Sequence, residues 1–414
     1  MLAQAVILCG GLGTRLGTLT SVTPKPLLQV AGRPFLDHLI QEIARYGVPR
    51  ITLVAGHMGE QLVAAYDGRR CDGATIEVLV EPTPMGTGGA LLFARSALAS
   101  EFLLMNGDSW IDEDLVTFSR SWRRTRASNS SVVAQLLLQY VADSSRFGLI
   151  ELSDSVSGPG LISSFSEKPN TTSKAGLINA GVYILDRMIV DKIAVEKPVS
   201  LERDVLPTLV AAGRVAGVPA RRGSYFVDIG VPDSFESAQM ELLRHRTRPA
   251  LFLDRDGTLN VDRGYTHRVE DLQWQLGARE AIALANRAGW YVFVVTNQAG
   301  VAHGYFDVSA VEAFHAAMQS DLFELGAHID AFEWCPYHPE AKVAEWRGPS
   351  RRRKPEPGML QDLLAQWPIE RSRSLMIGDR EIDVEAAVAA GIKGVRYKGG
   401  SLVELLGEAL RCEM

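Results

Sequence analysis

Two carboxylates one residue apart, Asp254 and Asp256, close an apolar run and open onto Gly257-Thr258. That spacing suits a covalent phosphoryl transfer in which one carboxylate attacks phosphorus and the other handles the leaving-group proton. A calcium loop starts with a similar D-x-D-G, but its spaced later ligands are missing here. Thr296, Lys354, Asp379 and Asp383 follow in the segments VVTNQ, RRRKP and MIGDREID. A second set of groups stands near the start of the chain. There an apolar run meets Gly10, Gly11, Gly13 and Thr14, a turn whose backbone N–H groups can approach a phosphate unobstructed. Arg15 and Lys25 add two cations, which suit a triphosphate and its pyrophosphate leaving group. The turn is neither G-x-G-x-x-G, since Leu16 takes the last glycine's place, nor G-x-x-x-x-G-K. Asp108 and Asp228 each end an apolar run and can hold Mg²⁺, a hard cation, against phosphates. Each of these residues alone has a plainer reading, as a helix cap, a turn residue or a solvated lysine.

Groups so placed need rigid elements beneath them, and the hydrophobic patterning supplies these. Strands are expected at AVILCG, ITLVAG, TIEVLVE, FLLMNGD, SVVAQLLLQ and INAGVYIL, with a helix at FLDHLIQEIARYG. The alternation argues an α/β fold with a mostly parallel sheet, whose carboxyl edge is where ligands of open α/β sheets bind. A helical stretch, SFESAQMELL, runs into the basic RHRTRP, and a fresh strand begins at ALFLD. The boundary is expected there, with domains at residues 1–243 and 250–414. YVFVVTNQ, IDAFEWC and RSLMIGD then make the second domain an independent α/β unit.

With 46% hydrophobic and 22% charged residues among 414, the chain is expected to fold as ordinary globular domains. Its net charge of −6 offers no general attraction to nucleic acid or anionic lipid, so small molecules are the expected partners, with no nucleic acid and no membrane. A homo-oligomer is left open. Cys9, Cys71, Cys335 and Cys412 form no C-x-x-C pair, which fits a reducing cytoplasm better than a disulfide framework. No run approaches the ~20 apolar residues of a membrane span, and neither export nor insertion is expected.

The segments GGLGTRL and TPKPLL resemble the signature of the sugar-1-phosphate nucleotidylyltransferases, and the likeness continues to about Phe235 through EPTPMGTGGAL, NGD, FSEKP, NAGVYIL and VDIGVP. The resemblance implies a Rossmann-like nucleotidyltransferase sheet with Arg15 and Lys25 as catalytic cations and Asp108 and Asp228 as Mg²⁺ ligands. Gly10, Gly11, Gly13, Thr14, Glu81, Gly86 and Thr87 would bind the nucleotide. Lys168 would bind the sugar's phosphate, and Glu167 and Asn179 its hydroxyls. A sugar 1-phosphate, with a second pKa of ~6, is largely dianionic at neutral pH and requires no general base. A carboxylate at Glu81 can accept from the N–H and NH₂ edge of guanine and meets no such pair on adenine, which favours GTP over another NTP. A structural turn glutamate is the alternative.

From Ala250 nearly to the end, FLDRDGTLN, VVTNQ, RRRKP and MIGDREID resemble the haloacid dehalogenase (HAD) phosphatases. By that likeness Asp254 is the nucleophile, Asp256 the general acid and base, and Thr296 and Lys354 ligands of the phosphoryl group. Asp379 completes a Mg²⁺ site with Asp254 and the Asp256 carbonyl, and Asp383 supports it from behind. The spacing leaves no room for a large inserted cap, so the fold expected is a capless HAD-like Rossmannoid sheet. Loops at 260–267, 298–305 and 335–353 must then set specificity. Within the capless group the likeness is to heptose 1,7-bisphosphate phosphatases, through VVTNQAGVAHGYF, CPYHP and RKPEPGML. Asn297 and Arg353 would bind the sugar phosphate, Arg353 gripping the phosphate that is not cleaved. Members of that branch often carry a zinc loop of form C-x-H then C-x-C. Here only Cys335 is in register, His338 is displaced by one residue, and no structural zinc is expected. Packing of Trp334, Tyr337 and Trp346 is expected to order the loop instead.

The fusion itself carries information, because a heptose bisphosphatase yields a heptose 1-phosphate, a substrate class for the other domain. The expected activity is a bifunctional one. D-glycero-α-D-manno-heptose 1,7-bisphosphate loses its 7-phosphate, and a nucleotidyl group, GMP from GTP, passes to heptose 1-phosphate. Three rivals are a mannose-1-phosphate guanylyltransferase fused to a histidinol-phosphate-type phosphatase, a scaffold with inactive sites, and a nucleic-acid 3′-phosphatase, the last disfavoured by the acidic charge balance and the lack of a basic, aromatic-interleaved tract.

Overall fold

The computed structural model describes residues 2–11, 13–153, 159–166, 174–193 and 198–411. Glu167, Lys168 and Cys412 lie outside the described residues. The chain divides into two compact units, Met1–Ala44 with Val48–His245, and Arg45–Gly47 with Arg246–Met414. Both are α/β. No helix among the described residues is long and apolar enough to cross a membrane.

In the first unit a ten-stranded sheet holds β1 (Ala5–Cys9), β2 (Arg50–Ala55), β3 (Ala74–Val80) and β4 (Glu101–Asn106) side by side in the order β3-β2-β1-β4, all parallel. β1 is flanked on both sides, so its apolar run AVILC is almost wholly buried. Helix α1 (Phe35–Ala44) buries Phe35, Leu36, Leu39, Ile40 and Ile43, spaced as one helical stripe. Each such side chain contributes roughly 1.5–3 kcal/mol when fully removed from water. β1 and β4 are the strands at which the order reverses. Their carboxyl ends open a crevice into which Gly10 and Asp108 both fall.

The expectation of a mostly parallel sheet fails beyond β4. Strand β5 (Ala134–Val141), Leu149–Leu152, Gly160–Phe165 and β6 (Gly176–Asp186) follow one another with no helix among the described residues between them. Parallel pairing needs a crossover of a dozen or more residues, usually helical, whereas short connections return antiparallel. β6 accordingly runs antiparallel to both β4 and β5. The sheet is mixed. A small antiparallel pair of β7 (Phe226–Asp228) with Ser109–Ile111 sets Asp228 opposite Ser109, next to Asp108.

The second unit is a five-stranded, fully parallel sheet. Its strands are β8 (Ala250–Leu253), β9 (Tyr291–Asn297), β10 (Ala331–Cys335), β11 (Leu375–Gly378) and β12 (Lys393–Arg396), in the order β10-β9-β8-β11-β12. Successive residues of β8 point to opposite faces. Leu251 and Leu253 join a core with Ile282, Phe314 and Leu322, while Ala250 and Phe252 join another with Phe293, Met359 and Trp367. Here the order reverses between β8 and β11, so Asp254 and Asp379 emerge together at the switch point.

Candidate active sites

In the first unit a cavity of about 360 Å³ opens at the β1/β4 crevice, and Gly10, Lys25, Glu81, Gly86, Thr87 and Asp108 are among the residues lining it. Gly13 adopts φ 63°, and a Cβ there would meet Thr20 Cγ2 at 2.7 Å, so the turn depends on glycine. Thr14 and Arg15 open the short helix behind it and are exposed. Lys25 is buried, with Nζ 2.5 Å from Asp108 Oδ2 and 3.7 Å from Asp228 Oδ1. Gly230 N donates to Asp228 Oδ1 at 2.6 Å. A Cβ on Gly230 would sit 2.9 Å from Lys25 Nζ and 3.1 Å from Arg15 Nη2, so both cations converge on this turn. Burial pushes the Asp228 carboxyl up, Asp108 adds to the rise, and Lys25, Gly230 N–H and Arg146 oppose it.

Glu81 is held at the end of β3 by its N–H, which donates to Ala55 O at 2.8 Å. Its Oε1 is buried with no hydrogen-bond partner, and burial raises the carboxyl's pKa against the Met85 N–H. An unsatisfied buried carboxylate oxygen costs free energy until a donor arrives, and the residue that carries it lines the cavity. Gly86, at φ 76°, packs so closely on Val199 that a Cβ would lie 2.5 Å from its carbonyl oxygen. Thr87 lines the cavity, but its Oγ1 donates to Glu202 Oε2 at 2.7 Å and accepts from Leu201 N at 2.8 Å. Asn179 lies outside that lining. Its Nδ2 donates to Tyr183 Oη at 2.7 Å, and its Oδ1 accepts from Gly181 N. Tyr183 in turn donates to Glu202 Oε1 at 3.1 Å. Glu202, which ties these groups together, carries no sequence signal of its own. Arg146, 3.8 Å from Asp228 Oδ2, was equally silent in the sequence.

In the second unit a pocket of about 340 Å³ gathers Asp254, Asp256, Thr296, Asn297, Arg353 and Lys354 at the carboxyl edge. Lys354 is fully buried, with Nζ 2.5 Å from Asp254 Oδ1, 2.6 Å from Asp383 Oδ1, and donating to Val295 O at 2.7 Å. Burial pushes the Asp254 carboxyl up to about 7. Lys354 works against the rise, and Asp383 adds to it. Asp383 is set by the first turn of helix α2 (Glu381–Ala389), where Arg380 N donates to its Oδ2 at 3.0 Å. Asp254, Asp379 and Asp383 each bring one oxygen within 4.8 Å of the others. Asp379 Oδ1 is buried without a partner, and its carboxyl is raised by burial and then by Asp383. At Gly257 a Cβ would lie 2.5 Å from Asp379 Oδ2, so the carboxylates can gather only because this position has no side chain. An oxygen-only donor set with an orphaned anionic atom fits a hard divalent cation.

Asp256 is tied down by four hydrogen bonds. Arg255 Nε and Nη2 donate at 3.1 and 2.8 Å, Gln298 Nε2 at 2.7 Å and Asn260 Nδ2 at 3.0 Å. Arg255 is completely buried, stacked over Phe314 and beside His315, whose imidazole is held well below its usual pKa by burial and by Arg255. Arg255 is assigned no role from the sequence, although a cation between two carboxylates is a usable signal, and Gln298 opens one of the loops expected to set specificity. Thr296 Oγ1 accepts from Gln298 Nε2 at 2.9 Å. Asn297 uses its amide on the loop, Nδ2 donating to Lys354 O and Oδ1 accepting from Lys354 N, both at 3.0 Å. It therefore positions the lysine. On the loop after β10, Tyr337 and Trp346 pack edge to face at 5.3 Å, and the His338 ring lies 4.9 Å from that of His303.

Comparison with known proteins matches residues 4–245 to the nucleotidyl transferase family and residues 351–406 to the HAD-hydrolase-like family. The D-glycero-β-D-manno-heptose-1,7-bisphosphate 7-phosphatase of Rhodopseudomonas palustris is 47% identical over 152 residues, which is 37% of this chain and 84% of that protein. The mannose-1-phosphate guanylyltransferase of Mycobacterium tuberculosis is 32% identical over 242 residues, 58% of this chain and 65% of that protein. A UTP-bound UGPase from Acinetobacter baumannii superposes with a TM-score of 0.51 at 20% identity, covering 58% of this chain and 93% of that one, and shows the fold alone.

Proposed function

Because the chain belongs to the nucleotidyl transferase family over residues 4–245 and, through its second half, to the family of heptose-bisphosphate phosphatases, we propose that it performs two consecutive steps in making a nucleotide-activated heptose. The second unit removes the 7-phosphate of D-glycero-D-manno-heptose 1,7-bisphosphate. The first transfers GMP from GTP to the heptose 1-phosphate so released, giving pyrophosphate. The observation that carries this reading is that one chain combines a nucleotidyl transferase family match with a heptose-bisphosphate phosphatase relative, with a pocket in each unit.

In the phosphatase pocket Lys354 orients Asp254, which attacks phosphorus, while Asp256 protonates the leaving oxygen and later takes a proton from the water that frees the enzyme. Asp254, Asp379 and the Asp256 carbonyl would hold Mg²⁺, with Asp383 behind them, and the cation would neutralise phosphoryl charge. In the first unit Asp108 and Asp228 would hold a second Mg²⁺, while Arg15 and Lys25 stabilise charge on the phosphates as pyrophosphate leaves. Glu167 and Lys168 are proposed for the sugar phosphate on the resemblance alone. The loop bearing Cys335 is read as zinc-free.

A mannose-specific enzyme paired with a histidinol-phosphate-type phosphatase is disfavoured, because the relative matched by the second half is a heptose-bisphosphate phosphatase. A scaffold with inactive sites is disfavoured by the intact acidic set. The base is assigned through Glu81, which lines the cavity and has a buried oxygen without a hydrogen-bond partner. Screening four NTPs against heptose and mannose 1-phosphates in both anomers, with pyrophosphate release as readout, tests the assignment. GTP with the α-heptose is the expected best pair. Glu81→Gln, which replaces an acceptor oxygen by a donor, should reduce the GTP preference at least about tenfold. An unchanged preference would give base reading to backbone groups.

A further inference from the structure

His338 lines the same pocket as Asp254 and Arg353, yet the chemistry at Asp254 leaves it without a task. Its backbone is fixed on both sides, His338 N donating to Trp346 O at 3.1 Å and Gly348 N donating to His338 O at 3.2 Å. The ring is oriented as well. Nδ1 accepts from Glu340 N at 3.1 Å, which places the ring proton on Nε2 and makes that nitrogen a donor. Nε2 has no acceptor among the described residues.

The charges around it are already matched, with one exception. Lys354 pairs with Asp254 and Asp383, Arg255 with Asp256, and Arg380 with Asp262 at 3.4 Å. Arg353 alone among these cations has no carboxylate within 4 Å among the described residues. Only its Nη1 is engaged, donating to Tyr337 O at 3.2 Å. Burial first, then Arg353 and His303, hold the His338 imidazole below its ordinary pKa, so ring and guanidinium feel each other's charge across a shared space. A half-buried guanidinium with unused N–H groups beside a fixed neutral donor is a site for an anion.

Building on the bisphosphatase reading, we propose that His338 Nε2 and Arg353 together bind the phosphate that is not cleaved, so that His338 determines specificity for bisphosphorylated sugars. A phosphate there presents three acceptor oxygens and a charge of about −1.5 to −2, where a monophosphate substrate presents a hydroxyl. The test measures kcat/KM for heptose 1,7-bisphosphate and for heptose 7-phosphate in the full chain. In His338→Ala the bisphosphate-to-monophosphate ratio should fall about tenfold, the loss of one hydrogen bond to a charged group, with the change carried by KM. His338→Gln, whose amide N–H₂ can stand in for Nε2–H, should recover most of it. A preference that survives in His338→Ala overturns the role of His338 alone. An equal loss in both variants overturns it too, by assigning the effect to loop structure. A wild-type enzyme without preference removes the bisphosphatase reading itself, and the His338 role with it.

Discussion

Asp254→Asn is expected to abolish phosphate release, by about four to six orders of magnitude in kcat, the loss typical of removing a catalytic nucleophile. Nucleotidyl transfer should stay within about twofold of wild type, because the two pockets share no lining residue and sites without shared partners behave additively. The amide is isosteric but does not form the aspartyl phosphate. The fold should survive, because Lys354 retains Asp383 at 2.6 Å as its counter-ion and still donates to Val295 O. The same carboxyl sets the pH dependence. Its pKa is raised to about 7 and only the ionised form attacks, so phosphate release at low Mg²⁺ should fall as pH drops through about 7. Raising Mg²⁺ should move that limb to lower pH, since a cation favours the ionised carboxylate. Steady-state phosphate release between pH 5.5 and 8.5 at two Mg²⁺ concentrations checks both points, and a limb indifferent to Mg²⁺ would place the titration elsewhere.

Asp108→Asn should give the complementary result, with nucleotidyl transfer down about a thousandfold or more, as fits the several kcal/mol of charge stabilisation a bound cation supplies. Phosphate release should be untouched. The substitution removes the carboxylate that lies 2.5 Å from Lys25 and leaves the lysine with Asp228 at 3.7 Å, so the ammonium stays paired and the unit should remain folded. Pyrophosphate and phosphate release, assayed on the same protein preparation with circular dichroism as the folding control, measure the split. Loss of both activities in a folded variant would mean that the two units do not work independently.

Much of this arrangement was legible in the sequence, for a physical reason. Parallel strands buried on both faces read as unbroken apolar runs, and the first polar residue after such a run is where the chain leaves the sheet's carboxyl edge. Asp254, Asp379 and Asp108 could be placed by that logic. The antiparallel half of the first sheet could not, since AQLLLQYV looks the same whether its neighbour returns by a hairpin or a crossover. Side chains that act on other side chains were also invisible. The roles of Arg255, Gln298 and Glu202 exist only once the backbone has brought Asp256, Thr87 and Tyr183 beside them. Asn297, expected to bind the sugar phosphate, lines the pocket, and its hydrogen bonds to the backbone of Lys354 appear only in the folded chain. His338 read as a failed zinc ligand until the loop's hydrogen bonds turned its Nε2 into a free donor.

One chain should carry a heptose bisphosphate through to the nucleotide sugar when the purified protein is given D-glycero-α-D-manno-heptose 1,7-bisphosphate, GTP and Mg²⁺, with no other enzyme, and phosphate and pyrophosphate are followed together. Phosphate should appear first, pyrophosphate after a lag, and both should reach equal final amounts with GDP-heptose as the product. Phosphate released without any pyrophosphate, from protein whose nucleotidyltransferase unit is folded, would contradict this two-step conversion.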